Sequence, residues 1–140
     1  MQQVGPFDNY LGVGTDFPSS EDVDFGLRAE ALNVITWTTP RSIVYHTYGR
    51  RYGLKNVLKH HRGYATGNGA LGAKLELWDH PLSKIWGQPQ SIADNFRSLL
   101  RNPARYLLGR YKSRYIREGY QKYLAMYTLG SSRLSIPKQL

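Results

Sequence analysis

Apolar and aromatic positions recur most regularly in the last third of the chain. Leu108, Tyr111 and Tyr115, then Ile116, Tyr120, Tyr123 and Tyr127, follow one another at three to four residues, the interval that gathers side chains on one side of an α-helix. A long helix from Pro103 to about Leu129 is therefore predicted. Asn102-Pro103 is its entry, since proline suits a first helical position, and Gly130-Ser131-Ser132 is its stop. A shorter helix should precede it, because Ser91 can cap, Asp94 follows at the third helical position, and Phe96, Leu99 and Leu100 share a side.

Upstream the pattern weakens. Ser19 or Ser20 ahead of Glu21-Asp22 predicts a short helix through Leu32, as a serine hydroxyl accepts an orphan amide and early acids suit the helix dipole. Asn33 to Thr39 is β-branched and aromatic, which predicts a brief strand or an extended link. Thr39-Pro40 predicts a further helix entry, with Val44, Tyr48, Leu54 and Leu58 on one face to about His61, bent or divided by Gly49 and Gly53. Arg62 to Gly72 holds four glycines and is predicted to be a loop. From Leu71 to Trp78 apolar and polar residues alternate as in a strand, yet Ala, Leu, Lys and Glu favour helix, and the pattern leaves both open. Before Ser20 the breakers Gly5-Pro6, Gly12, Gly14 and Pro18 surround isolated Phe7, Tyr10, Leu11 and Phe17. That composition predicts an extended arm, ordered on another surface, its own or a partner's. The expected fold is mainly α: a small helical domain with a long C-terminal basic helix, an extended N-terminal arm, and room for one short strand or hairpin.

Charge divides the same chain in two. Residues 1–39 carry Asp8, Asp16, Glu21, Asp22, Asp24 and Glu30 against Arg28 alone, a charge of −5. In residues 40–140 eighteen Lys and Arg face Glu76, Asp79, Asp94 and Glu118, a charge of +14. An acidic extended arm with a short helix, 1–39, thus joins a basic helical body, 40–140. Such a body attracts phosphate backbones, anionic lipid surfaces or acidic protein patches. With 140 residues, one modest core is expected and no deep enclosed active site. The chain has no Cys, which excludes disulfides, zinc ribbons and thiol nucleophiles. No apolar run approaches the roughly 20 residues that span a bilayer, so no membrane span is expected and lipid contact would be peripheral.

Several constellations invite chemistry and meet physical objections. Gly67-Asn68-Gly69-Ala70-Leu71-Gly72 has the spacing of a dinucleotide-binding loop, but Lys59-His60-His61-Arg62 stands where a buried apolar strand should, and no acid follows about 20 residues on for the ribose. His60-His61 and Asp79-His80 lack the one-turn interval that puts two metal ligands on one helix face; His60 and His61 are expected to extend the positive end of a helix instead. Glu76 with Asp79 is the one close carboxylate pair of the body, within reach of Lys74 or Lys84. Ser83, His80 and Asp79 are too near in sequence for the geometry of a catalytic triad. Neither catalysis, a cofactor nor a metal is expected.

What distinguishes the chain is its basic and aromatic helix. Arg110, Arg114 and Arg117 recur at four and three residues, a cationic stripe widened by Arg105, Lys112 and Lys122. Tyr115, Tyr120, Tyr123 and Tyr127 accompany it, and Tyr and Arg are the types most enriched at the buried centres of protein interfaces. These seven residues, Arg110, Arg114, Tyr115, Arg117, Tyr120, Tyr123 and Tyr127, are the candidate partner-binding site. The expected function is that of a non-catalytic accessory or structural subunit of a large multi-protein assembly, such as an organellar respiratory-type complex or a virion. The expected setting is intracellular, with mitochondria among the candidates and a virion as the alternative. Other protein subunits are the expected partners. The alternative is an RNA- or DNA-binding protein of a ribonucleoprotein particle, its cations on phosphates and its tyrosines stacked on bases.

Overall fold

The computed structural model of the chain describes residues 4–37, 39–45, 53–87 and 99–128, with side chains to 126. Its elements are α1 (Glu21–Ala31), α2 (Leu54–Leu77), a short 3-10 helix (Pro81–Lys84) and α3 (Pro103–Thr128). The protein is mainly helical with a long C-terminal helix, as the periodicity predicts. Among the described residues strand content amounts to one isolated bridge, Leu11 with Phe17. No helix there is long and apolar enough to cross a membrane.

The glycine-rich stretch is the main correction. Arg62 to Gly72 is the middle of α2, not a loop, and the ambiguous Leu71 to Leu77 continues the same helix. Glycine weakens a helix standing alone, but here it admits other backbones. A Cβ on Gly69 would collide with the Ile116 carbonyl oxygen, and one on Gly119 with the Thr66 carbonyl oxygen. At this crossing α2 and α3 touch backbone to backbone. The two run parallel: Leu58 meets Tyr111, Arg62 meets Glu118, and Thr66 meets Gly119, in the same order along both. On other sides of α2, a Cβ on Gly67 would strike Ser19, and one on Gly72 would lie 2.8 Å from the Trp86 carbonyl oxygen. Three segments thus converge on the second half of α2.

Around that crossing the core forms two clusters. One gathers Leu11, Phe17, Ala70, Ala73 and Tyr123, the other Leu27, Leu71, Leu75 and Trp78. Leu11 and Phe17 come from the predicted arm, which therefore folds onto its own body over residues 4–20. It is fastened there by charge. Lys74, fully buried, donates from Nζ to Asp8 Oδ2 at 2.7 Å and to Asp24 Oδ1 at 2.6 Å. Asp24 Oδ2 takes a further bond from Arg28 Nε at 2.9 Å, and the Arg28 guanidinium reaches the carbonyls of Val4, at 2.6 Å, and Pro6, at 2.9 Å. Two carboxylates and two cations satisfy one another out of water, as buried charges must. The acids of the N-terminal region thus partly neutralise the basic body from inside it.

Three smaller expectations also change. The Ser20 hydroxyl does not cap α1; it donates to Asn68 Oδ1 at 2.9 Å, and Ser20 itself lies at φ 74°. No helix begins at Pro40: Thr39–Arg41 is a turn, 42–45 is irregular, and α2 starts at Leu54. Asn33 to Trp37 forms no strand. The Asn102-Pro103 entry is present, with Asn102 Oδ1 accepting from the Arg105 amide at 3.0 Å. Residues 91–98, with the Ser91 cap, and the Gly130 stop lie outside the described residues.

Candidate partner-binding surface

A helix as long as α3 has more faces than one small core can cover. Gly119 and Tyr123 face inward, while Arg110, Arg114 and Arg117 are exposed along the opposite side. At 1.5 Å per residue the stripe is about 10 Å long. None of the three belongs to an ion pair among the described residues, whereas nearby Lys122 pairs with Asp16 at 3.0 Å and Arg62 approaches Glu118 at 3.9 Å. Both of those pairs are exposed and contribute about 0–1 kcal/mol.

The tyrosines behave differently from one another. Tyr115 is half-buried, set edge-on against Tyr111 with ring centroids 4.8 Å apart, and flanked by the guanidiniums of Arg62 at 4.8 Å and Arg114 at 5.8 Å. It steadies Arg114 by cation–π attraction. Tyr111 donates to the Leu58 carbonyl at 3.2 Å, tying α3 to α2. Lost solvation and the neighbouring Tyr115 push its phenol above the ordinary range. Tyr120 donates to Glu76 Oε2 at 2.6 Å. That bond first, then burial and the Glu76 charge, lift its pKa to about 12. Folded Tyr120 keeps its proton where the unfolded phenol, near 10, has lost it. Its contribution to stability is therefore full below pH 10 and fades as pH rises towards 12.

Tyr123 is a correction. It is 0% exposed, its ring edge-on to Phe17 at 5.6 Å, so it is core and cannot meet a partner. The side chain of Tyr127 lies outside the described residues. Of the seven candidates, the structure brings Arg110, Arg114 and Arg117 together on one outer face with Tyr115 beside them; Tyr120 lies apart at Glu76.

The first half of α2 adjoins this face and continues its charge with exposed Lys55 and Lys59. Neither α2 nor α3 has an acid in its first turn, and because the helices are parallel their positive dipole ends share one end of the molecule. On the same half of α2 the pKa of His61 is lowered from its ordinary value, first by burial and then by the positive charges of Lys112 and His60. His60 and His61 therefore sit near the N-terminus of α2, not at the favourable C-terminal end expected of them. An open groove of about 780 Å3 separates this half of α2 from residues 13–22, with Glu21 and Asp22 on one wall and Lys59, His60 and His61 on the other.

The remaining chemistry-bearing residues hold structural posts. His80 Nδ1 accepts from the Leu82 amide at 3.2 Å and so caps the 3-10 helix. Lys74 turns away from Glu76 towards Asp8 and Asp24. Among the described residues no three His, Asp or Glu side chains gather closely enough to hold a metal. Sequence reasoning missed the buried Lys74 network; the lone Lys among Ala, Leu and Gly from 70 to 75 was its signal. Compared with known proteins, the chain matches no family model, no curated protein and no solved structure.

Proposed function

We propose that the protein is a non-catalytic basic accessory or structural subunit of a large multi-protein assembly, such as an organellar respiratory-type complex or a virion, and that it docks through the outer face of α3. One observation carries this: Arg110, Arg114 and Arg117 stand exposed and without ion pairs among the described residues, on a helix held rigid by its glycine crossing with α2. Rigid cations lose little entropy when they meet an acidic protein surface. The tyrosines support a protein partner over nucleic acid, since Tyr111, Tyr120 and Tyr123 are engaged with their own chain and are not displayed for stacking on bases.

A second reading, nucleic-acid binding, is favoured by the acid-free parallel helix ends beside Lys55, Lys59 and Arg105. One experiment separates the two. Arg110→Glu, Arg114→Glu and Arg117→Glu together should fold like the parent and lower incorporation into the native complex by about tenfold or more. The parent should bind RNA and DNA no better than micromolar at physiological salt. Specific binding that also falls about a thousandfold between 50 and 200 mM salt would establish the nucleic-acid reading instead.

A further inference from the structure

The two halves of the α2 and α3 pair treat their cations differently. In the second halves this chain's own acids meet them: Lys74 lies against Asp8 at 2.7 Å and Asp24 at 2.6 Å, and Lys122 against Asp16 at 3.0 Å. In the first halves, residues 54–64 hold three Lys and Arg and residues 103–118 hold five, against Glu118 alone. Like charges gathered so closely repel one another, and an anion brought among them relieves that repulsion.

Two exposed rows carry much of this charge. Lys55, Lys59 and Arg62 recur on α2 at the same four- and three-residue spacing as Arg110, Arg114 and Arg117 on α3, which places each trio on one side of its helix. The rows meet over one ring, for the guanidiniums of Arg62 and Arg114 lie 4.8 Å and 5.8 Å from the centroid of Tyr115. That ring is set against Tyr111, which is itself tied to the Leu58 carbonyl. A guanidinium held over an aromatic face keeps N–H groups free to fork a carboxylate. Glu118 comes no nearer to Arg62 than 3.9 Å, beyond hydrogen-bond distance, and leaves those groups open.

The chemistry that fits is a peptide bearing carboxylates. This chain already answers the same two helices with aspartates on irregular backbone, Asp8 and Asp16. Bases of a nucleic acid would need open rings to stack on, and Tyr111 and Tyr115 are packed edge-on against each other. Each row spans about 10 Å, the length of about three extended residues. We infer that the seam between the first halves of α2 and α3 binds a short acidic segment of a partner protein, with one carboxylate on Arg62, a second on Arg114, and Tyr115 holding both guanidiniums in place. The inference rests on the subunit reading above and names what the partner brings to the cationic face.

The test uses the full chain with a fluorescein-labelled decapeptide of glutamate, a decapeptide of glutamine and a uridine decanucleotide as probes. At about 50 mM salt the glutamate peptide should bind about tenfold or more tightly than the glutamine peptide, and no more weakly than the RNA. In side-chain NMR spectra it should shift the Nε–H signals of Arg62 and Arg114 and leave that of Arg41, exposed elsewhere, in place. Arg62→Gln should weaken the peptide about tenfold, whereas Lys84→Gln, which removes one exposed charge at another place, should change it less than about twofold. No peptide binding, equal effects at 62 and 84, unmoved arginine signals, or RNA bound about tenfold more tightly than the peptide through the same arginines would each overturn the inference. The triple Arg→Glu variant of α3 separates the two proposals. If it loses incorporation while the parent binds no glutamate peptide, the subunit reading stands and the seam site falls. If the peptide binds at Arg62 and Arg114 while the triple variant and Arg62→Gln both incorporate normally, the seam site stands and the subunit reading falls.

Discussion

The two halves of α2 belong to one unbroken helix and live in different surroundings. From Ala65 to Leu75 nearly every residue is buried, and from Leu54 to Tyr64 nearly every residue is half-buried or exposed. Hydrophobicity does not explain the difference, for the exposed half contains Leu54 and Val57 while the buried half contains Lys74, Asn68 and Thr66. Side-chain size explains it better. Glycine and alanine at 65, 67, 69, 70, 72 and 73 let α3, residues 17–20 and Trp86-Gly87 reach the helix backbone, and contact at that range gives many dispersion contacts to each residue. Towards the N-terminus larger side chains hold neighbours off, and residues 54–64 stay half-buried or exposed.

Lys74 offers the harshest way to break this comparison. In the buried half its ammonium lies between two buried carboxylates; in the other half Lys59 is exposed. Lys74→Met should lower unfolding free energy by about 3–5 kcal/mol, because it strands Asp8 and leaves Asp24 with Arg28 alone. Lys59→Met should change it by under about 0.5 kcal/mol. Urea denaturation measures both. Adding Asp8→Asn to Lys74→Met should restore part of the loss, since the stranded charge goes with it. Equal, small effects at 74 and 59 would mean that the ammonium of Lys74 is not enclosed.

Next in size is the crossing itself. Gly69→Ala and Gly119→Ala each gain about 1 kcal/mol of helix propensity. Each also drives a methyl into a backbone carbonyl that cannot move without separating α2 from α3. Overpacking of this kind costs about 1–3 kcal/mol or more, and the net expectation is a loss of about 2 kcal/mol apiece. Thermal unfolding checks it. An unchanged or raised midpoint would show that the helices do not meet backbone to backbone.

How much of this was legible beforehand depended on whether a residue acts locally or through contact. Spacing at three to four residues revealed α3, and Asn102-Pro103 its entry, because periodicity and capping are local. Isolated Phe7, Tyr10, Leu11 and Phe17 among breakers marked a stretch that orders on a surface, but which of the four enter the core was not legible: Leu11 and Phe17 are buried and Phe7 is half exposed. Glycines 63, 67, 69 and 72 misled. Judged singly each argues for a loop, and their value appears only when another backbone lies against them. Tyr123 misled for a related reason. Tyrosines at 111, 115, 120 and 123 all fit one helical period, and only the position of Phe17 decides that 123 turns inward while 115 stays at the surface. The cationic stripe was legible because Arg at 110, 114 and 117 has no interior to enter. The exposure of Ile35 and Trp37 was not, since β-branched residues at 34–36 predict extended backbone whether or not a neighbouring strand exists in the same chain.

The finest test compares glycine with glycine along α2. Gly63 stands in the open half, where a Cβ would come 3.3 Å from Pro18 Cγ. That approach is tight, but it meets one side-chain atom of a half-buried residue, whereas a Cβ on Gly69 would run into the Ile116 carbonyl, fixed within α3. Gly63→Ala gains the same propensity of about 1 kcal/mol against a small cost in contact, so its stability should stay within about 0.5 kcal/mol of the parent's. The expected difference between Gly63→Ala and Gly69→Ala, about 2 kcal/mol within one helix and one substitution type, isolates the surroundings from the residue. Denaturation midpoints measured in parallel decide it. Two equal losses would make glycine's role in α2 a matter of position along the helix alone, and close approach to α3 would no longer account for the buried half.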